Sequence, residues 1–296
     1  MGESRSKLNP AFPAAVLAMG VICISFGAIF ARYADSPPLV KSAYRVGIAA
    51  ALVVPFALVF YRHEYLRLSR REIFLNVLSG VFLAAHFASW ITSLDYTSVA
   101  SSVILVNTIP IWTAIFNLVF GVARPGRTMW FSVFLSVIGA AIVGYGDMSF
   151  DRSALYGDAL AVAGGAAAAA YIICGREVRG KLGLVPYIAL CYGTAAAILW
   201  AVVLVMGYPV TGFSAVTWGA FAGSALMSQL LGHSSYNWAL GHFSSGFVSI
   251  MLLGEPIGSA ILAYILFREI PTPVKFAGFA LLMTAIVMAA RDEGKR

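Results

Sequence analysis

Apolar residues in this 296-residue chain fall into ten runs with little internal periodicity, each closed off by a short cluster of charged, proline or glycine residues. Each run holds roughly twenty residues, the length a helix needs to cross a ~30 Å hydrocarbon core. Hydrocarbon offers backbone N–H and C=O groups no partner outside a helix or a closed barrel, so runs of this length predict helices. They are expected near residues 13–34, 39–61, 73–94, 98–122, 128–146, 155–175, 184–206, 214–240, 243–268 and 272–290. The breaks carry turn chemistry: Ser36-Pro37-Pro38, the basic stretch from Arg62 to Glu72, Arg124-Pro125-Gly126, the acidic stretch from Asp147 to Asp158, and Pro271-Thr272-Pro273. Connections this short make neighbouring helices antiparallel. The fold class read from the pattern is all-α, a polytopic membrane protein of ten transmembrane helices.

Composition makes lipid the solvent. The chain is 60% hydrophobic and 11% charged, where a soluble domain carries about a quarter charged residues. The first run begins near Phe12 and passes Ala31 without a small-residue cleavage site, so it reads as the first span. The formal charge of +7 is spread over short loops beside apolar runs and forms no single patch. That points to lipid headgroups and topology and away from nucleic acid. With the N-terminus in the cytoplasm, fourteen Lys and Arg fall on the cytoplasmic side and five on the other, leaving Arg45 inside a span. The bias favours a plasma-membrane protein with both termini cytoplasmic. Cys23, Cys174 and Cys191 lie in apolar runs with neither CxxC spacing nor nearby histidines, which predicts no metal site. The patterns GxxxxGK[ST], HExxH and GxSxG are absent, so nothing supports ATP-driven work within this chain or common hydrolase chemistry, and no cofactor is expected.

An internal repeat adds the most. A shift of 146 residues lays Pro110 on Pro256, Pro125 on Pro271, Leu94 on Leu240, Ser98 on Ser244 and Trp90 on Tyr236. Upstream, Ser25 to Arg32 matches Ala169 to Arg176 with a shift of 144. Residues 1–147 and 148–296 then form two five-helix repeats. Five is odd, so the halves enter the membrane from opposite sides, the inverted arrangement on which many alternating-access transporters are built.

Short motifs within the repeats carry a family likeness. Leu253-Gly254-Glu255-Pro256-Ile257, followed by Ala263 to Pro271, is similar to an L-x-E-P stretch with a helix-end Glu, and Ala85 to Trp90, Leu94 to Ser98 and Ile109-Pro110-Ile111 are similar to the matching first repeat. Across nearly its whole length the chain resembles the drug/metabolite transporter superfamily, specifically its ten-helix EamA-type exporters. The first half departs from the pattern, with Ala123 at the helix-end Glu position and Ile109 opposite Glu255. A mechanism that needs matched acids in both halves is therefore not expected. Within the superfamily the chain resembles bacterial inner-membrane exporters of amino acids and related metabolites, the YddG group among them. The resemblance implies a small-molecule substrate and transport without enzymatic conversion. A broad exporter of toxic cations is the alternative, and both proton antiport and facilitated diffusion stay open. Small residues on helix faces serve packing within and between chains alike, so no oligomer is specified.

Ionisable groups inside spans are costly and mark candidate sites. Glu255 precedes Pro256, which frees a carbonyl and loosens the helix, and it is a candidate to bind a substrate ammonium or carry a proton. Arg45 lies about six residues from a helix end, roughly 9 Å deep, where it either snorkels or serves a carboxylate or an outer gate. His86, Trp90 and Ser93 share one face of the third helix, and Gln229, His233 and Tyr236 repeat that spacing on the eighth. Asn107, Trp112 and Tyr171 complete the expected lining of a midplane pocket walled by helices three, four, eight and nine with the first and sixth. Pro110 and Pro256 are the expected hinges.

Overall fold

Long apolar runs satisfy their backbone as helices, and the computed structural model, which describes residues 11–97, 99–144, 152–268, 270 and 272–294, contains helices and no strand among those residues. Ten rods run back and forth: α1 (Ala11–Tyr33), α2 (Pro38–Phe60), α3 (Arg70–Ser93), α4 in two pieces (Val99–Val106 and Ile109–Val119), α5 (Arg127–Gly144), α6 (Arg152–Arg179), α7 (Leu184–Val205), α8 (215–239), α9 in two pieces (Ser245–Met251 and Gly254–Phe267), and α10 (Pro273–Glu293). Eight of them are long and apolar enough to cross a membrane, and the shorter α5 and the irregular α8 complete the set.

Local chemistry sets the ends. α3 opens with a capping box, in which the Ser69 hydroxyl accepts from Glu72 N at 3.3 Å and Ser69 N donates to the Glu72 carboxylate at 2.8 Å. Pro38 and Pro273 stand in the first turns of α2 and α10, where a missing N–H costs nothing. Both internal breaks follow from proline. Pro110 cannot donate to the Val106 carbonyl four residues back, nor Pro256 to that of Leu252, and each helix parts there. The two breaks sit at equivalent repeat positions, 146 residues apart. α8 differs from its counterpart α3, because Ser224–His233 winds as a π-helix, whereas α3 is regular throughout.

Two differences from the sequence expectation follow. Helices four and nine are broken rods, so Glu255 lies in the first turn of the second piece of α9 and not at the middle of a continuous helix. Helix six runs four residues beyond the expected end at 175, because its last turn is held through Arg176 and Arg179 against α8.

Packing follows the exchange of the two halves. α3 lies on α6 as α8 lies on α1, and α4 lies on α6 as α9 lies on α1. α2 packs on its own counterpart α7, and α5 on its counterpart α10. In the α5–α10 seam Gly139 and Gly278 face each other so closely that a Cβ on Gly278 would stand 2.7 Å from the Gly139 carbonyl oxygen. The outside is apolar, with Phe56, Phe60, Phe131, Phe134, Ile265 and Phe276 exposed, while Arg45, Asn76, Gln229 and Asn237 are buried. This distribution suits a chain whose solvent is lipid.

The ends of the chain share a face. Phe12 meets Trp238 edge-on at 5.7 Å, and Ser244 donates to the Glu293 carboxylate through N at 2.5 Å and Oγ at 2.6 Å. This terminal face also carries Glu64 and Lys181. The far face carries Asp35, Thr97 and Asp158.

Candidate functional site

A narrow chamber with only 30 Å³ of free space lies where the two repeats meet, room for about two waters. Every one of Arg45, His86, Trp90, Asn107, Tyr171, Tyr236 and Glu255 lines it, together with His233, Asn237 and the apolar Ile24, Val106, Ile172, Leu240 and Leu252. Trp112 stands apart from this lining and packs on Phe116 at 6.0 Å. Pro110 sits just outside, in the second piece of α4, and Pro256 lines the neighbouring vestibule.

Arg45 does not snorkel. It is 2% exposed, its Nε donates to Gln229 Oε1 at 3.0 Å, and its guanidinium lies 4.4 Å from the Phe87 ring centroid. The π-helical turns of α8 bring Gln229 to it, and Gly27 leaves the room, since a Cβ there would stand 3.3 Å from Arg45 Nη1. No ion pair within 4 Å joins Arg45 to Glu255, so two opposite charges face one chamber across a gap. His86 stacks on Trp90 at 5.8 Å and places Nδ1 2.9 Å from the Gly164 carbonyl. A carbonyl only accepts, so Nδ1 carries the proton and Nε2 is left to the chamber.

Several buried donors lack a partner: Arg45 Nη2, Trp90 Nε1, Gln229 Nε2 and the Tyr236 hydroxyl. Burying such groups unpaired costs about 1–3 kcal/mol each. Three of them, on Arg45, Trp90 and Tyr236, belong to the lining of one chamber and make it a place that favours an incoming acceptor. Behind the wall one group of polar side chains satisfies itself. Tyr171 donates to Asn237 Oδ1, Asn237 Nδ2 donates to the Tyr192 hydroxyl at 3.0 Å, and that hydroxyl meets Ser234 Oγ at 3.1 Å.

Trp90 and Asn107 also line a second, wide cavity of 700 Å³. It is walled by α1, α3, α4, α5, α9 and α10, with Arg32, Lys41, Asp95 and Lys275 toward the far face. These two side chains therefore separate chamber from vestibule. The terminal face is shut: Arg176 Nη1 donates to Leu240 O at 2.7 Å, Arg179 Nε to Asn237 O at 2.9 Å, and Asn117 Nδ2 to Ser245 Oγ at 3.1 Å. Sequence reading passed over Asn237, Arg176 and Arg179 as site residues. The signal for Asn237 was its place beside Tyr236. For the arginines it was only a basic helix end, which serves topology equally well. The three cysteines are free and buried, and no His, Cys, Asp or Glu cluster fit for a metal occurs among the described residues.

The sequence pattern of the EamA-like transporter family matches residues 12–145 and 155–291. An uncharacterized transporter of Archaeoglobus fulgidus is 30% identical over 236 residues, covering 77% of this chain and 79% of that protein. A solved structure, described only as a protein crystal structure, superposes with a TM-score of 0.79 over 97% of this chain and 99% of the other. At 13% identity it speaks for the fold alone.

Proposed function

The chain belongs to the EamA-like transporter family and is a membrane transporter, not an enzyme, and from that premise we propose that it exports amino acids, including those with apolar side chains, by alternating access. The carrying observation is the polarity of the central chamber, with unpaired Arg45 Nη2, Trp90 Nε1 and Tyr236 hydroxyl donors on one hand and the Glu255 carboxylate on the other. In this reading the donors receive the substrate carboxylate and Glu255 receives the ammonium. Ile24, Ile172, Leu240 and Leu252 accept an apolar side chain. The chamber is too small for an amino acid as it stands, so binding moves the Trp90 and Asn107 floor toward the vestibule. Residues 1–147 and 148–296 act as the two repeats that rock about Pro110 and Pro256. The excess of Lys and Arg at the terminal face supports a cytoplasmic location for it, in a bacterial inner membrane.

Export of lipophilic cations is the rival reading. One acid among several unpaired donors favours a zwitterion over a cation. Purified protein in liposomes tests both by counterflow with a panel of radiolabelled amino acids and quaternary amines. Exchange of amino acids with little exchange of amines is expected. Exchange of amines alone replaces the reading with the rival, and exchange of neither by folded protein removes both.

A further inference from the structure

We propose that the chain holds one phospholipid in a groove on its outer surface, and that this lipid carries a primary ammonium beside its phosphate, as phosphatidylethanolamine does. The groove shares no lining residue with the central chamber or the vestibule, and its occupant does not depend on what the chain transports.

The groove encloses 780 Å³. α6 is its floor, and α3 and the second piece of α4 are its walls, each packed on α6. The floor is low, because Ala166, Ala167 and Ala170 face the space while Phe82, Phe116 and Phe120 rise on either side. Arg71 and Glu177 stand at its terminal-face end, and the α3 wall runs from Arg71 to Ala85. Those two positions lie about 21 Å apart along the helix. Half of a bilayer with its headgroup region measures about 20–22 Å. One lipid of the leaflet at the terminal face therefore fits with its head at Arg71 and its acyl chains over the alanine floor.

The head position carries two opposite charges. Arg71 Nη2 lies 4.0 Å from Glu177 Oε2, too far for a hydrogen bond, and the two side chains are 80% and 41% exposed. A guanidinium suits a phosphate, and a carboxylate suits an ammonium. A head that holds both groups together complements the pair, whereas an anionic head meets Glu177 with like charge. A primary ammonium also brings N–H donors to the carboxylate, and a trimethylammonium brings none.

The image of this site in the other half is built differently. The shift of 144 sets Ala170 on Phe26 and Cys174 on Phe30. Those two rings stack at 6.0 Å, and Phe30 presses so closely on α8 that a Cβ on Gly223 would stand 2.5 Å from its ring. Aromatic rings occupy the positions where small side chains leave the groove. The charged mouth changes too, since Glu177 falls on Tyr33 and, with the shift of 146, Arg71 falls on Thr217. Open volume and paired charge thus occur together, on the side of the terminal face.

Native mass spectrometry of the purified full chain tests the site, with phosphatidylethanolamine, phosphatidylcholine and phosphatidylglycerol of identical acyl chains added separately. Phosphatidylethanolamine is expected to bind more tightly than either other lipid by about two- to five-fold, the range of a partly exposed ion pair. Glu177→Gln is expected to lower it to the level of phosphatidylcholine, and Arg71→Gln to weaken both. Ala170→Phe, which copies the residue of the other half, is expected to weaken all three by filling the groove. Equal binding of the three lipids by the parent chain, tightest binding of phosphatidylglycerol, or an unchanged preference in Glu177→Gln overturns the proposal. So does parental binding by folded Ala170→Phe. The two charge variants change exposed side chains, so they decide the matter even where Ala170→Phe does not fold.

Discussion

Arg45 shows how far a single residue can be read. Its depth was legible from its place in the second apolar run, but its direction was not. A long side chain at that depth reaches either the headgroups or the interior, and the choice is made by Gln229 on a rod 184 residues away and by the space that Gly27 leaves. The histidine and indole of α3 were easier, because spacing of four residues on a regular helix fixes a common face whatever surrounds it. Trp112 was placed by composition alone and packs elsewhere. Arg45→Gln is expected to raise the apparent KM for amino acids by about ten-fold or more through loss of a charged donor. It should leave amines lacking a carboxylate little changed, a split that a folding defect does not produce. Glu255→Gln is expected to raise the apparent KM for amino acids in counterflow through loss of the ammonium's charged partner. Unchanged exchange by the folded variant takes the carboxylate out of substrate binding.

At the scale of the helix, the number and order of rods were written in the apolar runs, and their interruptions were half-written. Pro110 and Pro256 announce a freed carbonyl, though not whether the helix bends or parts. Nothing in the sequence marks the π turns of Ser224–His233, since wide turns arise when packing demands an extra residue per turn and leave no composition of their own. The extension of α6 to Arg179 is likewise a tertiary effect, stabilised by carbonyls of another rod. Pro256→Ala returns a donor for Leu252 O and lets α9 run on. The expected result is a melting temperature higher by about 2–4 °C with slower counterflow. Turnover equal to that of the parent chain rules out the break as a hinge.

For the whole molecule, the repeat read from a handful of matched residues supplies the pairing of rods, because an odd number of helices per half leaves inversion as the one way to lay the halves together. Which face stands open was not legible. In the alternating-access reading the two states share most of their contacts, and the side chains that differ between halves choose between them. The chamber was therefore readable as a neighbourhood and its closure was not.

The glycine seam between α5 and α10 has a further consequence. Exchanging the halves sends that pair of rods onto itself, as it does α2 with α7, so these contacts are the fixed points of the swap. Whatever turns during a cycle turns about them. A covalent tether between α5 and α10 near Gly139 and Gly278 is expected to leave radiolabel exchange near its untethered rate. In the alternating-access reading the seam is the axle, and a close backbone approach lies where the least distance has to be travelled.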